Sequence, residues 1–292
     1  MKSKNIRKNI NLIEKSILGL CTILLVFFVP KSFGLSSSIS SSLNSFHTKD
    51  QFGDILIVND FIVEKDTTIF GISINLNEGW HSYWRHAGDI GLPTRIYFDY
   101  QPKLKGHKVF WPKPTVKDNN FGISLVYEEN VIIPVLINVP KAELPLALML
   151  NLELGVCKDI CIPIKKRIKI DIDKPNRSLQ VNHLRSVLAE IKKSQIKLPS
   201  KNFYCSIDMR QGNTFLDFNI KLPDEYSNSL AILEYDKDLI DVINVEENIE
   251  GNSLIFSILM DQSQLSSFVI SKSQFALHFL SKKNQTSVFG CF

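Results

Sequence analysis

The sequence predicts an all-β protein, two β-sandwich domains joined by a short connecting helix. Three observations carry this expectation. Short runs that alternate apolar and polar residues recur through most of the chain, and Gly, Pro and Asn separate them. One stretch alone changes to helical spacing. About 258 residues remain once an N-terminal targeting segment is set aside, which suits two domains better than one.

Residues 1–34 read as a signal peptide. Lys2, Lys4, Arg7, Lys8 and Lys15 form a basic start, Ile17 to Val29 is an apolar run of 13 residues, and Ser32-Phe33-Gly34 offers small residues at both ends of a cleavage triplet. A membrane span needs about 20 residues, so cleavage near Gly34 and a soluble exported product are expected; an uncleaved membrane anchor is the alternative. Cys21 follows Leu20 inside the apolar run, which speaks against a lipoprotein site.

Residues 35–49, Ser-rich at their start, read as a flexible arm. Residues 50–175 carry the first sandwich, with strand-like runs at 69–76, 132–137, 148–154 and 168–172. Residues 176–200 read as the helical linker. There Leu184, Val187, Leu188 and Ile191 recur at helical spacing, Ser178 or Asn176 caps the start, and Pro199 closes the stretch. Residues 201–292 resume the strand pattern at 215–220, 254–258 and 275–280, with a final hairpin turn at 282–285. This second unit is large enough for its own sandwich.

The formal net charge of +4 belongs mostly to the leader. Its six basic residues and one acidic residue, taken from totals of 34 and 30, leave the remainder at about −1. With no basic stripe, recognition helix or zinc-finger spacing, nucleic acid is not an expected partner. Cys21 leaves with the leader, and Cys157, Cys161, Cys205 and Cys291 remain. An even number in an oxidising compartment permits two bridges.

Cys157 and Cys161 stand four positions apart in Val156-Cys157-Lys158-Asp159-Ile160-Cys161-Ile162-Pro163. A flat strand would separate them by about 13 Å, whereas a disulfide needs Cα atoms about 4.4–6.8 Å apart. The sulfurs therefore meet only at a tight hairpin tip or in a helical turn; opposed Cα atoms at a tip, about 4.5–5.5 Å apart, suit the bond. Such a pair passes between dithiol and disulfide without rearranging a fold. On the chain-entropy description, closing about five residues stabilises by roughly 2 kcal/mol, and a Cys205–Cys291 bridge closing about 87 by roughly 4.6 kcal/mol. The long bridge is expected to be a structural disulfide between the first and last strands of the second domain. The short one, at a tight tip, is expected to be the more reducible.

The other dense region runs from Gly79 to Thr94. Trp80, His81, Tyr83, Trp84 and Asp89 are its candidate shielding or partner-binding residues. Tryptophans commonly pack a sandwich core; the functional alternative is an aromatic wall over the cysteine tip that shields a thiolate until a partner docks. His81 and His86 could join the cysteines around a metal, but the spacing fits no standard zinc pattern and no metal site is expected.

Three motifs in order carry a family resemblance: Trp80-His81-Ser82-Tyr83-Trp84, Gly88-Asp89-Ile90-Gly91-Leu92-Pro93-Thr94, and the run from Val156 to Pro163. The chain resembles the N-terminal periplasmic region of the DsbD/ScsB protein-disulfide reductases. It is closer to the ScsB type than to the DsbD type, whose cysteines lie farther apart. The similarity spans roughly residues 50–290 and is strongest between 79 and 164. It implies an immunoglobulin-like fold, a periplasmic location, and a dithiol at Cys157 and Cys161 that passes electrons to oxidised thioredoxin-like proteins. It implies no cofactor and gives Cys205 and Cys291 no redox role. Family members often continue into a multi-helix membrane domain and a thioredoxin domain with a Cys-x-x-Cys motif. This sequence stops at Phe292 with neither, so the expectation is a separate membrane electron donor, the alternative being a chain that has lost the reductase role.

The expected activity is thus thiol–disulfide exchange of the protein-disulfide reductase type. One thiolate attacks a partner's disulfide and the other resolves the mixed disulfide. Lys158 and Lys165-Lys166-Arg167 would favour a thiolate and Asp159 would oppose it; Lys158 reads equally well as a solvated turn residue. Two rivals belong to other classes: a thiophilic-metal (copper) binding protein using the same cysteines with nearby histidines, and a structural assembly module with both disulfides permanently oxidised.

Overall fold

The computed structural model describes residues 47–64, 67–172, 179–197, 200–236, 238–245, 248–259, 271–282 and 284–292. The expected signal peptide and most of the expected arm lie outside these residues. Strand dominates, and the first unit holds β1 (His47–Asp50), β2 (Gly53–Glu64), β3 (Thr67–Leu76), β4 (His81–Gly88), β5 (Arg95–Phe98) and β6 (Gly106–Val109). It continues with β7 (Thr115–Asn119), β8 (Gly122–Glu128), β9 (Asn130–Asn138), β10 (Leu146–Cys157) and β11 (Cys161–Ile172). One sheet runs β1-β2-β3-β9-β6 and the other β11-β10-β4-β8-β7, with β5 also on β10.

Strand periodicity explains the core between these sheets. Along β10, Leu146, Leu148, Leu150, Leu152 and Leu154 are buried and the residues between them face outward or are half-buried. They meet Ile55 and Ile57 of β2, Phe70, Ile72 and Ile74 of β3, and Ile133 and Val135 of β9 from the opposite sheet. Each such side chain contributes about 1.5–3 kcal/mol by leaving water.

The helical stretch forms α1 (Leu179–Ser194). Its stripe of Leu184, Leu188 and Ile191 buries against Ile69 and Phe110, with Val187 half-buried beside it. The helix therefore lies on the outer face of the first sheet, which is why β3 is buried on both sides.

The second unit holds β12 (Gln195–Lys197), β13 (Phe203–Arg210), β14 (Asn213–Lys221), β15 (Leu230–Tyr235), β16 (Asp238–Asn244), β17 (Ile249–Glu250), β18 (Ser253–Leu259), β19 (Phe275–Leu280) and β20 (Gln285–Phe289). Its sheets run β12-β20-β19-β15-β16 and β13-β14-β18-β17. Phe203, Phe218, Phe256, Phe275, Leu277 and Phe279 form its own core. Alternation on β15 and β19 divides their side chains in two. Ala231, Leu233, Phe275, Leu277 and Phe279 serve that core, while Leu230, Ile232 and Leu280 pack into the core of the first unit.

Cys205 is bonded to Cys291, with Cα atoms 5.6 Å apart. Cys205 lies in β13, but Cys291 lies just beyond β20 rather than within a strand. The segment after β20 crosses to the other sheet: the Phe292 amide donates to the Phe203 carbonyl at 2.9 Å, and the Cys205 amide donates to the Phe292 carbonyl at 3.0 Å.

Candidate functional site

Of the two geometries open to the short cysteine pair, the structure adopts the hairpin. β10 and β11 pair without interruption from Leu146↔Ile172 to Cys157↔Cys161, and Lys158, Asp159 and Ile160 make the tip. The cysteines are bonded, with Cα atoms 4.1 Å apart. Their surroundings differ. Cys157 is 2% exposed, Cys161 is on the surface, and Ile160 beside it is 71% exposed.

What covers Cys157 comes from β4, which pairs with β10 at Cys157↔His81 and Val156↔Ser82. Period-two alternation then places His81 and Tyr83 on the cysteine side and Ser82 and Trp84 on the other. The Tyr83 hydroxyl donates to Cys157 Sγ at 3.2 Å and lies 3.7 Å from Cys161 Sγ; His81 Nε2 is 3.3 Å from the same hydroxyl. Burial raises the Tyr83 pKa. Burial, aided by the positive charge of Lys117, lowers that of His81. At neutral pH the pair is a phenol and a neutral imidazole.

The loop after β4 closes over Tyr83. Gly91 adopts φ 120°, and a Cβ there would overlap the Tyr83 ring. Gly155 of β10 donates its amide to the Leu92 carbonyl at 3.3 Å, and a Cβ at Gly155 would sit 2.6 Å from Leu92 Cβ. Thr94 Oγ1 donates to the Tyr83 carbonyl at 2.5 Å. Asp89 anchors the loop from the other side, its Oδ2 accepting from the Ile123 amide at 2.7 Å.

The structure therefore brings together Cys157, Cys161, His81 and Tyr83, with Asp89 holding the loop. Trp80 and Trp84 are not part of this wall. Trp84 is buried in the sandwich core, and Trp80 packs against the same core and against Phe52. The basic run on β11 is also occupied elsewhere: Lys165 pairs with Glu153, Lys166 with Asp50 and Arg167 with Asp99. Lys165 stands about 13 Å along the strand from Cys161, so this run is not a local source of positive charge at the tip. Sequence reasoning did not single out Ala87, which packs with Tyr83, Val126 and Cys157, or Thr94, which donates to the Tyr83 carbonyl. Among the described residues no group of three or more His, Cys, Asp or Glu is arranged to hold a metal ion, and no helix is long and apolar enough to cross a membrane.

Residues 54–171 match the family described as thiol:disulfide interchange protein DsbD, N-terminal. Among solved structures, the N-terminal periplasmic domain of ScsB from Proteus mirabilis aligns over 84% of this chain and 96% of that one, at 14% identity and a TM-score of 0.56. A putative membrane anchored protein from Corynebacterium diphtheriae aligns over 82% of this chain and 53% of that one, but at 9% identity and a TM-score of 0.20 it has no bearing on the fold. No curated protein matches the chain. Residues 54–171 therefore match an N-terminal domain of the DsbD thiol:disulfide interchange type, and the chain shares the immunoglobulin-like β-sandwich fold of the ScsB domain.

Proposed function

We propose that this is a periplasmic thiol–disulfide exchange protein of the protein-disulfide reductase type, with Cys157 and Cys161 as its redox pair and thioredoxin-like proteins as its partners. The observation that carries the reading is the asymmetry of the tip: one sulfur on the surface, the other buried under a hydrogen-bonding phenol. In the reduced protein the Cys161 thiolate attacks one sulfur of the partner's disulfide, and the partner's second sulfur leaves as a thiolate. The Cys157 thiolate then attacks the Cys161 sulfur, which breaks the mixed disulfide. Two electrons have passed to the partner, whose thiolates take up protons from water, and Cys157–Cys161 is left oxidised. A dithiol donor at the membrane returns the pair to its reduced state by the reverse exchange.

The Tyr83 hydroxyl supports the resolving step. A hydrogen bond donated to Cys157 Sγ favours its thiolate, and a neutral His81 in contact with the same hydroxyl orients it. Cys205–Cys291 is the structural bridge. The periplasmic assignment rests on the basic, apolar and small-residue zones of residues 1–34, with cleavage near Gly34, and on the periplasmic origin of the ScsB domain.

Single cysteine variants test the mechanism. Cys157→Ala, which keeps the exposed sulfur and loses the resolving one, should accumulate a mixed disulfide with an oxidised thioredoxin-like protein. Cys161→Ala should capture none. If neither variant traps a partner and the wild-type pair stays oxidised under mild reduction, the bridge is structural and the exchange reading is wrong.

A further inference from the structure

The second sandwich meets β4, the strand that covers Cys157, at the buried carboxylate of Glu234 and at His278. Between Tyr83 and Gly88 the register of β4 against β8 breaks: Tyr83 pairs with Val126 and Gly88 with Ser124, so residues 84–87 of β4 bow out in a bulge opposite Leu125 alone. Arg85 and His86 ride on that bulge, and both bind Glu234 of β15. Arg85 forms an ion pair with Glu234 Oε1, and His86 Nε2 lies 2.5 Å from the same oxygen. From β19, His278 Nε2 lies 3.0 Å from Oε2, and its Nδ1 lies 2.7 Å from Ser287 Oγ.

Glu234 is 3% exposed. Burial works against its charge, but the hydrogen bonds of His278 and His86 and the charges of His278 and Arg85 prevail and hold its pKa well below the usual carboxylate range. Breaking such a buried pair by removing one partner is costly, because the other charge is left uncompensated. A cleft of about 1130 Å³ borders the cluster, and on the same bulge Trp84 packs into the core of the first unit, so the Glu234 bonds add to packing in fixing its course.

The same bulge is seated at its other side on the redox pair. Tyr83, where it begins, donates to Cys157 Sγ, and Ala87, where it ends, packs with Tyr83, Val126 and Cys157. We propose that Glu234 is a positioning residue for the Cys157–Cys161 disulfide: by gripping Arg85 and His86 it fixes the bulge, and with it the seat of Tyr83 and Ala87 against Cys157. The second sandwich then governs how readily a reductant opens a bond that it does not itself touch. The inference rests on the redox reading of the pair, but its test does not, since a small dithiol opens any accessible disulfide by thiolate attack.

The test follows reduction of the full chain by dithiothreitol, with thiol trapping and mass spectrometry scoring both bridges in the same samples. Glu234→Gln should speed opening of Cys157–Cys161 by roughly two- to thirtyfold, without a matching change at Cys205–Cys291. The acceleration should shrink in a Tyr83→Phe background, because the two residues act in series. Glu234→Asp, which keeps the charge, should recover part of the wild-type rate. His278→Asn removes the contacts of His278 to Glu234, Arg85 and Ser287 but leaves Arg85 paired with Glu234; it should give a smaller change of the same sign, and it stands as the measurement if Glu234→Gln does not fold. Wild-type rates in folded variants overturn the inference, and so does equal acceleration of both bridges. A shifted dithiothreitol rate beside a pair that never exchanges with thioredoxin-like proteins would defeat the proposed function and leave this inference standing.

Discussion

The two bridges make the same bond in opposite settings. Cys157–Cys161 spans a sequence separation of 4, Cys205–Cys291 one of 86. The first exposes one sulfur at a hairpin tip and sets a phenol against the other; the second is buried on both sides within a phenylalanine-rich core. Closing a short loop restricts the unfolded chain little, so opening it forfeits little. Closing a long one ties together sheets that must both be in place. What a disulfide does here is therefore set by the chain it closes and by the atoms around it.

The largest expected effect comes from deleting each bridge in turn. Replacing Cys205 and Cys291 together with Ala should cost about 4.6 kcal/mol of unfolding free energy, and replacing Cys157 and Cys161 about 2 kcal/mol. Denaturant titration of both proteins measures the gap; equal losses would erase the distinction. A smaller effect concerns the one bridge with a hydrogen-bond donor at its sulfur. In a Cys161→Ala background, Tyr83→Phe should raise the Cys157 thiol pKa by about one unit. The pH dependence of thiolate absorbance reports it, and an unmoved titration would remove the phenol from the mechanism.

The smallest effect concerns how the two regions are held together. Burial lowers the His278 pKa despite its bond to Glu234, and the Glu234 carboxyl is also held low. In both cases the unfolded state binds protons more readily, so stability is full at neutral pH and falls with acid. The decline begins near the unfolded His value of about 6.5 and continues through the unfolded Glu value of about 4.3. Glu234→Gln should flatten the lower limb, narrowing the drop in Tm between pH 5 and pH 3 (roughly) by a few degrees. Parallel declines in both proteins would mean that the carboxylate is not the acid-sensitive contact.

Local pattern made much of this molecule readable. Alternation located the strands, and a separation of four made the Cys157–Cys161 geometry a choice between two turns. The same alternation in His81-Ser82-Tyr83-Trp84 separates Tyr83 from Trp84, and so bears on the choice between core and wall that the tryptophans by themselves leave open. Glu234 and His278 were not readable. They lie 148 and 193 positions from the first-unit residues they approach, His86 and Arg85, and no local periodicity announces a contact made by two folded surfaces. The ion pairs that occupy Lys165, Lys166 and Arg167 were hidden in the same way: a run of cations shows charge, but not which carboxylates sit beside it.

The crossing of Cys291 and Phe292 to β13 also orders events in time. In a chain that enters an oxidising compartment N-terminus first, Cys161 arrives four residues behind Cys157, whereas Cys291 arrives 86 residues behind Cys205. The hairpin cysteines can find each other before Cys205 has entered. Cys205 must then wait, unpaired, until nearly all of its domain has emerged. Pairing the early cysteines with each other removes them as wrong partners during that wait. The closeness of two residues at a tip thus also protects the fidelity of a bond formed far downstream.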